Sequence, residues 1–278
     1  MDVDPRSIRL MVERFLDEDV GHGDVTTDAI VDGDARAHAR IEAREGFVVA
    51  GLDAARMCFE VLDASGGWRA EVGDGSRVDA GAVIARIDAA ARAILTAERT
   101  ALNLLQRLSA VATTTARFVA AVEGTPARII DTRKTTPGLR VLEKAAVRAG
   151  GGGNHRFGLD DGVLIKDNHI RAAGGVSEAV ERARNQAPHG LVVEVEVTDL
   201  RELDEALGAG AEAVLLDNMS PDLVREAVLR GGGKATFEAS GGINLDNVRV
   251  FAEAGVDLIS VGALTHSAGS VDIALEVE

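Results

Sequence analysis

Short apolar runs alternate with helical segments through the second half of the chain, and this alternation constrains the fold most. Beyond Thr125 and Pro126 the apolar runs predict strands at residues 128–131, 163–166, 191–197, 213–217, 235–239 and 258–261. Helical patterns lie between them, for example at residues 176–185, 200–208 and 221–229. Strands joined by helical crossovers form a parallel sheet with both faces covered. Six or seven such units within about 140 residues favour an α/β barrel over an open sheet.

The chain before Thr125 follows a different pattern, which predicts a small sheet accompanied by helices. From Ala35 to Ala43 apolar and polar residues alternate, as in a strand with one solvent-exposed face. Leu62 is a candidate core residue of a predicted helix. The other elements expected in this part are a helix that starts at the Asp4–Pro5 signal and ends near Asp19, a helix at residues 53–62, a loop at residues 21–27 and short strands within residues 68–87.

A long apolar helix predicted at residues 91–121 carries a polar stripe formed by Arg99, Asn103 and Gln106. The spacing i, i+4, i+7 puts these three side chains on one face. In one interpretation the three side chains form a solvent-exposed face of the helix. In the other, the helix is buried or lies at an interface, and Arg99 points from it into a binding site. The helical pattern alone leaves both interpretations open.

The charge balance restricts the partners of the chain. It carries 45 acidic against 30 basic residues, a formal net charge of −15, and only four lysines. Such an acidic surface argues against nucleic acid or an anionic membrane as a partner. Many Asp, few Lys and few aromatic residues also suggest a protein that works at high salt, and this halophilic character is a hypothesis. No apolar window reaches transmembrane length and no signal-peptide pattern opens the chain, so a cytoplasmic location is expected.

Basic and polar residues gather at the ends of two predicted strands within residues 129–170, where three of the four lysines lie. Because α/β folds bind ligands at the carboxyl ends of their strands, this stretch predicts a site for a small polyanion. The residues concerned are Thr132, Arg133, Lys134, His155, Arg156 and Lys166.

Acidic residues mark the next two strands. Glu194 and Glu196 lie two apart at residues 191–197 and therefore face the same side of the strand. The outer side of a parallel barrel is covered by helices, which favours the lumen over a half-exposed outer face for both carboxylates. Buried carboxylates need cations or a metal as partners. Asp217 closes the following strand, where it is placed to hold Mg²⁺ or ribose hydroxyls.

Glycine loops follow the last two predicted strands. In α/β barrels such loops commonly bind a phosphate through backbone N–H groups. A single phosphate does not need all the cations predicted at residues 129–170. A substrate with two carboxylates, bound together with a Mg²⁺-diphosphate, does need them. The loop residues are Ser240, Gly241, Gly242, Gly262 and Ala263.

Several segments together resemble the quinolinate phosphoribosyltransferase family, the carboxylating nicotinate-nucleotide pyrophosphorylases of NAD biosynthesis. The resemblance runs over almost the whole chain in the right order, and the TRK and NHR runs at residues 132–134 and 154–156 are its most specific parts. The segments are GHGDVTTD (21–28), AERTALNLLQRLS (97–109), DTRKTTPGLR (131–140), GGGNHRFGLDDGVLIKDNHI (151–170), EVEV (194–197), LLDNM (215–219), EASGGI (238–243) and DLISVGALTHS (257–267).

The resemblance implies a two-domain enzyme. An open, incomplete TIM-like α/β barrel is expected at residues 111–266, after a smaller α+β sandwich domain at residues 1–110, to which the tail at residues 267–278 returns. The implied reaction transfers the phosphoribosyl group of phosphoribosyl diphosphate to quinolinate with loss of CO₂, giving nicotinate mononucleotide and diphosphate. A homodimer or a larger assembly of dimers is implied as well, because the family adds an arginine from the neighbouring subunit, which matches Arg99.

The resemblance also implies roles for the candidate site residues. The candidate catalytic residues, which the family places near phosphoribosyl diphosphate and Mg²⁺, are Lys134, Glu196 and Asp217. The two acids are the tentative metal ligands, and Glu194, two positions before the family's acidic position, keeps an open role. The pyridine dicarboxylate is placed against Arg133, His155, Arg156 and Lys166, with Thr132 beside them. The 5′-phosphate end matches Ser240, Gly241, Gly242, Gly262 and Ala263.

Four alternatives remain. A relative encoded with molybdate transport genes shares the fold but is expected to lack the full set of dicarboxylate cations. A nicotinate salvage enzyme binds one carboxylate and leaves some of those cations unmatched. A Schiff-base aldolase could use Lys166, given an apolar or cationic setting that lowers the pKa of such a lysine. A non-catalytic phosphate-binding protein is the least favoured, because Glu196 and Asp217 then have no task.

Overall fold

The computed structural model describes residues 3–278, whose helices and strands follow the sequence patterns closely. In chain order the elements are α1 (Pro5–Val20), α2 (Val25–Ile30), β1 (Arg36–Ala43), β2 (Phe47–Val48), α3 (Leu52–Leu62), β3 (Gly67–Ala70), β4 (Arg77–Val78), β5 (Val83–Ala90), α4 (Ala91–Ala121), β6 (Arg128–Ile130), α5 (Arg140–Ala149), β7 (Val163–Ile165), α6 (Asp167–Ala173), α7 (Val176–Gln186), β8 (Val193–Val197), α8 (Leu200–Gly208), β9 (Ala213–Asp217), α9 (Pro221–Gly231), β10 (Thr236–Ser240), α10 (Val248–Glu253), β11 (Leu258–Ser260), α11 (Ala263–His266) and β12 (Ile273–Val277).

Two expectations for the first part of the chain are wrong. The pattern predicts a loop at residues 21–27, but Val25 begins α2, because the carboxylate of Asp24 caps that helix and accepts a hydrogen bond from the Thr27 backbone N–H at 3.0 Å. The pattern also predicts Leu62 in the core, but this side chain is 39% exposed. Leu62 is the last residue of α3, where the chain turns into an extended conformation at Asp63.

The described chain divides into two compact units. Unit 1 contains the chain up to Ala116 together with Thr135–Gly151 and Ser267–Glu278, and unit 2 contains Arg117–Lys134 and Gly152–His266. The domain boundaries expected from the sequence, at residues 110 and 266, remain a prediction. The segment Thr135–Gly151, which that prediction assigns to the barrel, groups with unit 1.

Unit 1 is built on an antiparallel sheet with the strand order β12-β1-β5-β3. The predicted alternation in β1 is confirmed, since Ala39, Ile41 and Ala43 are buried whereas the residues between them are partly exposed. Helices α1 and α3 pack together. In α1 the apolar stripe of Ile8, Val12 and Leu16 is buried, as helical spacing requires.

Unit 2 is an open α/β barrel, as the sequence predicts. Its six strands are parallel in the order β6-β11-β10-β9-β8-β7, so the first two strands along the chain, β6 and β7, form the two edges. An isolated parallel bridge joins Ile130 at the end of β6 to Gly153. The Gly153 N–H donates to the carbonyl of Ile129 at 2.8 Å, and a Cβ atom at this glycine would lie 3.1 Å from Cγ2 of Ile130. The carboxyl end of β6 is therefore paired with Gly153, the last of the four consecutive glycines at residues 150–153. Within residues 3–278 no helix combines the length and the apolar character needed to cross a bilayer.

A glycine that ends α5 sets a packing distance within unit 1. A Cβ atom built on Gly150 would lie 2.7 Å from Cβ of Thr115 and would also collide with the carbonyl of Ala112. Both contacts are on α4, and the carbonyl, being backbone, cannot rotate away. The first of the four consecutive glycines is thus explained by packing in unit 1.

We expect Gly150→Ala to lower the free energy of unfolding by about 1–3 kcal/mol, the usual cost of overpacking. Thermal denaturation followed by circular dichroism measures the effect. Gly208→Ala is the matched control, because a Cβ atom there meets no atom within 4 Å and no unusual backbone conformation is required. The control should unfold at or slightly above the wild-type temperature. A wild-type Tm for Gly150→Ala would contradict the packing argument.

Candidate active site

Unit 2 contains a cavity of about 480 Å³ at the carboxyl ends of its parallel strands. Parallel strands all end at the same edge of the sheet, so the residues that follow them in the chain are brought together there. The cavity is lined by Thr132, Arg133, Lys134, His155, Arg156, Leu164, Lys166, Glu196, Leu215, Asp217, Asn218, Glu238, Ser240, Gly241, Gly242 and Ser260.

Two arginines give the cavity its anion-binding character. The Nε atoms of Arg133 and Arg156 are buried and have no hydrogen-bond partner among residues 3–278. Arg156 is oriented by one hydrogen bond, from Nη1 to the carbonyl of Gly162 at 3.1 Å. Burial lowers the pKa of Arg156, and the neighbouring charge of Arg133 lowers it further. Two neighbouring, partly buried cations with unused Nε donors are suited to an anion with more than one charged group.

The loop after β6 holds Lys134 at the cavity. The Oγ1 atom of Thr132 accepts from the Lys134 backbone N–H at 3.0 Å, and the Oγ1 atom of Thr265 donates to the Lys134 carbonyl at 2.8 Å. The Lys134 side chain is exposed. Its stem passes Gly262, where a Cβ atom would lie 3.1 Å from Cδ of the lysine. Gly262 therefore leaves room for Lys134, but Gly262 and Ala263 are not among the residues that line the cavity.

A buried carboxylate fixes His155. Asp131, which is fully buried, accepts from Nδ2 of Asn154 at 2.7 Å and from the His155 backbone N–H at 2.9 Å. The His155 ring accepts from the Arg156 backbone N–H through Nδ1 at 2.7 Å. Since Nδ1 uses its lone pair as an acceptor, the ring proton lies on Nε2. Asp131 thus sets the positions of the NHR run, a role that the sequence analysis did not assign to it.

Two glutamates meet the other side of the His155 ring. Nε2 of His155 lies 3.1 Å from Oε2 of Glu194 and 3.6 Å from Oε2 of Glu238. Burial raises the pKa of Glu238 to about 8, and the charge of Glu194 adds to the effect, while His155 opposes it. The other carboxylate oxygen of Glu238, Oε1, is buried without a hydrogen-bond partner among residues 3–278. The three side chains are also close enough to hold a metal ion, with one ligand atom from each within 4.8 Å of the others.

Glu196 and Asp217 stand at the ends of the neighbouring strands β8 and β9. Oε2 of Glu196 pairs with Nζ of Lys166 at 2.7 Å. Oδ2 of Asp217 accepts from Nδ2 of Asn218 at 2.8 Å. Glu194 and Glu196 share one face of β8, as predicted, and that face is the lumenal one, since Glu194 contacts His155 and Glu196 lines the cavity. Carboxylates in this position offer the hard oxygen ligands that Mg²⁺ prefers.

The loop after β10 brings backbone to the cavity. Gly241 has φ +94°, a conformation that L side chains rarely adopt, and a Cβ atom there would lie 3.0 Å from the backbone nitrogen of Asn218 and collide with its side chain. Asn218 itself has a positive φ of 54°. Oγ of Ser260 donates to Oγ of Ser240 at 2.9 Å. Ser240, Gly241 and Gly242 all line the cavity, as a phosphate loop requires.

Arg99 belongs to unit 1 rather than to the unit that contains the cavity. It is exposed on α4, as is Asn103. Gln106, the third residue of the polar stripe, donates from Nε2 to the carbonyl of Ile273 at 3.0 Å. The polar stripe is therefore not solvent-exposed along its whole length. Arg99 and Asn103 are exposed in the single chain, whereas Gln106 is bonded to the backbone.

Four polar residues of this site were not predicted from the sequence: Asp131, Asn218, Glu238 and Ser260. Glu238 had a readable signal, because it lies two residues before Ser240 on the same strand and therefore faces the same side. The other three carry no signal beyond their positions at strand ends.

Comparison with known proteins identifies relatives along the whole chain. The family models of the quinolinate phosphoribosyl transferase N-terminal and C-terminal domains match residues 24–109 and 111–276. A probable carboxylating nicotinate-nucleotide pyrophosphorylase of Bacillus subtilis is 44% identical over 270 residues, covering 97% of this chain and 93% of that protein. The carboxylating nicotinate-nucleotide pyrophosphorylase of Mycobacterium leprae is 45% identical over 272 residues, covering 96% and 95%.

A solved structure agrees with this result. The nicotinate-nucleotide pyrophosphorylase from Francisella tularensis superposes with a TM-score of 0.95 at 40% sequence identity, covering 100% of this chain and 98% of that one. The open barrel and the antiparallel sheet of the present chain thus recur in a relative of similar sequence.

The raised pKa of Glu238 predicts a pH-dependent contribution to stability. The folded state keeps the Glu238 proton up to about pH 8, whereas the unfolded state loses it near the ordinary value of 4.5. The stabilisation is therefore complete below pH 4.5 and is lost as the pH rises through 8. Glu238→Gln has no such titration, so its stability relative to wild type should improve by about 4 kcal/mol between pH 5 and pH 9.

Urea unfolding at both pH values measures this difference. Glu181→Gln, at an exposed position on α7, is the control and should follow the pH dependence of wild type. A constant difference between Glu238→Gln and wild type across this range would show that Glu238 titrates normally.

Proposed function

The chain belongs to the quinolinate phosphoribosyl transferase family, and we propose that it transfers the phosphoribosyl group of phosphoribosyl diphosphate to quinolinate with decarboxylation. The products are nicotinate mononucleotide, diphosphate and CO₂, in the de novo synthesis of NAD. One observation supports this function above all. Arg133 and Arg156 keep buried, unpartnered donors in the same cavity that contains the glycine loop after β10.

The basic residues of the cavity suit a pyridine dicarboxylate. A guanidinium group binds a carboxylate through two parallel hydrogen bonds, and Arg133 and Arg156 each have donors to spare. A bound dianion also offsets the repulsion between the two arginines. We assign Lys166, Thr132 and His155 to the same substrate, because they line the cavity beside them.

The remaining lining residues suit phosphoribosyl diphosphate. The backbone of Gly241 and Gly242, with the Ser240 hydroxyl, is proposed to hold the 5′-phosphate. Lys134 supplies a positive charge for the diphosphate. Gly262 packs against the Lys134 side chain. We propose that Gly262 and Ala263 complete the phosphate site there.

Glu196 and Asp217 fit a divalent cation that accompanies the diphosphate, and we propose Mg²⁺. Both are only partly buried, and both lie at the ends of adjacent strands, so a hard cation can reach their oxygens. When bound, Mg²⁺ neutralises charge on the diphosphate leaving group. The two carboxylates themselves stabilise the positive charge that builds on C1 of the ribose as that bond lengthens.

The chemistry needs no covalent nucleophile. The pyridine nitrogen attacks C1 of the ribose, and the protein contributes by holding the two substrates in line and excluding water. Once the nitrogen is quaternary, the ring withdraws electrons from the adjacent carbon C2. The C2 carboxylate then leaves as CO₂.

The alternative functions fit the cavity less well. A Schiff-base aldolase needs its lysine in an apolar or cationic setting, but Nζ of Lys166 lies 2.7 Å from a carboxylate oxygen of Glu196. A nicotinate salvage enzyme binds one carboxylate and leaves a desolvated arginine without a partner. A relative linked to molybdate transport is expected to lack part of the cation set, which is complete here. A non-catalytic phosphate-binding protein gives Glu196 and Asp217 no task.

We further propose that the enzyme is at least a homodimer in which Arg99 acts in the site of the neighbouring copy. The exposure of Arg99 on α4, where the side chain is available to a neighbouring copy, supports this assignment. The cytoplasmic location and the preference for high salt stay predictions of the sequence.

The main test is release of ¹⁴CO₂ from quinolinate labelled in the C2 carboxyl group. We expect release of ¹⁴CO₂ that requires both phosphoribosyl diphosphate and Mg²⁺. The assay is run at low and at high salt, and such release at either concentration supports the proposal. Chelation of the metal should stop the release, and added Mg²⁺ should restore it. No release at any salt concentration from folded protein would refute quinolinate as the substrate.

We expect Arg133→Ala to weaken quinolinate binding by about 2–4 kcal/mol, because the substrate carboxylate loses a buried partner. Isothermal titration calorimetry with quinolinate alone measures this loss directly. Arg128→Ala is the control, since Arg128 is exposed at the other end of the same strand, β6, and should leave the affinity unchanged. Equal affinities for the wild type and Arg133→Ala would remove Arg133 from the site.

Subunit mixing tests the role of Arg99. Arg99→Ala and Arg133→Ala should each be nearly inactive, but after subunit exchange a heterodimer contains one site with both arginines intact. Random exchange of dimers should then restore about a quarter of the wild-type activity. A mixture of Arg133→Ala with Lys166→Ala is the control, because both residues belong to the same copy and neither site is repaired. If the first mixture stays as inactive as the second, Arg99 does not act across subunits.

A further inference from the structure

The proposed reaction leaves the most buried acid of the cavity without a task. Glu238 is 1% exposed, lines the cavity, and keeps its oxygen Oε1 without a hydrogen-bond partner among residues 3–278. A buried polar atom of this kind costs free energy unless a ligand or a chemical role uses it. The phosphate, carboxylate and metal contacts assigned above involve other residues.

The geometry around Glu238 favours its uncharged form. The single ring proton of His155 lies on Nε2 and faces both Glu194 at 3.1 Å and Glu238 at 3.6 Å. Two buried carboxylates that repel each other share this N–H group, and Glu194 also interacts with the charge of Arg156. Glu238, the less compensated of the two, therefore retains a proton. Leu215 on β9 and Ser260 on β11 bring no further charge, and the Ser260 hydroxyl, through a hydrogen bond, opposes only part of the rise in the pKa of Glu238. The raised pKa agrees with Glu238 as the residue that keeps the proton.

The proposed reaction, on which this inference rests, requires a proton inside the cavity. When the C2 carboxylate leaves as CO₂, the electron pair of the broken C–C bond remains on C2 of the ring. That carbon must gain a proton before nicotinate mononucleotide can form. None of the residues assigned above supplies it.

We propose that Glu238 is the acid that protonates C2 after CO₂ has left. The O–H bond of the carboxylic acid breaks, its proton forms the new C2–H bond with the electron pair left by CO₂, and Glu238 becomes a carboxylate. The ring becomes a pyridinium cation in the same step, so the new negative charge on Glu238 forms next to a positive one. Once the product has left, Glu238 regains a proton from solvent and the cycle closes.

The other proton donors of the cavity are less suited to this step. Arginine does not give up its proton in proteins. Lys134 and Lys166 are assigned to the anionic parts of the substrates, and a lysine that gave up its proton would lose the charge that holds them. Lys166 is also paired with Glu196. Glu238 is uncharged before the step and gains its charge only when the ring can balance it.

The test compares Glu238→Gln with Glu238→Asp in single turnovers of the full enzyme, with diphosphate and nicotinate mononucleotide measured separately. Glutamine keeps the length of the side chain but cannot act as an acid, so we expect nicotinate mononucleotide to form at least about 10²-fold more slowly. Diphosphate release should stay near the wild-type rate, because it precedes the proton transfer. Aspartate is shorter but remains an acid, so Glu238→Asp should form product faster than Glu238→Gln.

Two further measurements separate chemistry from structure. Quinolinate affinity measured by calorimetry should stay within about threefold of wild type in Glu238→Gln, which shows an intact cavity. In wild type the kcat for nicotinate mononucleotide formation should fall as the pH rises above about 8, and in Glu238→Gln this alkaline limb should be absent.

Several outcomes overturn the proposal. Product formation by Glu238→Gln at the wild-type rate would show that Glu238 is not the acid, as would faster product formation in Glu238→Gln than in Glu238→Asp. A Glu238→Gln variant that loses quinolinate affinity and diphosphate release together would assign Glu238 a structural or metal-binding role. These results differ from a failure of the proposed function, in which wild type itself releases no ¹⁴CO₂ from quinolinate.

Discussion

Charge held away from water is the constraint on which this site depends. A carboxylate held away from water needs a donor or an opposite charge nearby: Glu194 faces the Nε2–H of His155, and the partly buried Glu196 pairs with Nζ of the exposed Lys166. Arg133 and Arg156 retain unused buried donors instead. Two neighbouring arginines with unused buried donors are prepared for an anion of more than one charge, and quinolinate is such an anion.

The backbone of the barrel creates this arrangement. Six parallel strands end at one edge, so residues far apart in the chain meet around one cavity. Glycine permits the closest approaches: Gly153 pairs with the end of β6, and Gly241 packs against Asn218. Thr265 and Thr132 hold the backbone on both sides of Lys134. The charges are therefore positioned mainly by backbone contacts, which leaves the side chains available for ligands.

Much of this could be predicted because the patterns involved are local. The parallel strands of unit 2 follow from apolar runs and helical spacing, and strand ends indicate the site because parallel strands share an edge. The structure departs from the prediction where a single contact decides, as at α2, which the Asp24 cap starts inside the expected loop. Asp131 was visible only as a strand end, and its hydrogen bonds to Asn154 and His155 join segments that are separated in the chain.

The sequence by itself determined the fold class, the family and the residue types at the strand ends, because hydrophobic periodicity and motif spacing are properties of neighbouring residues. Only the tertiary structure decided which charges are compensated. The proton position on His155 depends on the Arg156 backbone, and the state of Glu238 depends on burial and on a glutamate from another strand. Electrostatic free energy in a protein depends on distance and on exclusion of water, and both are set only when the strands assemble.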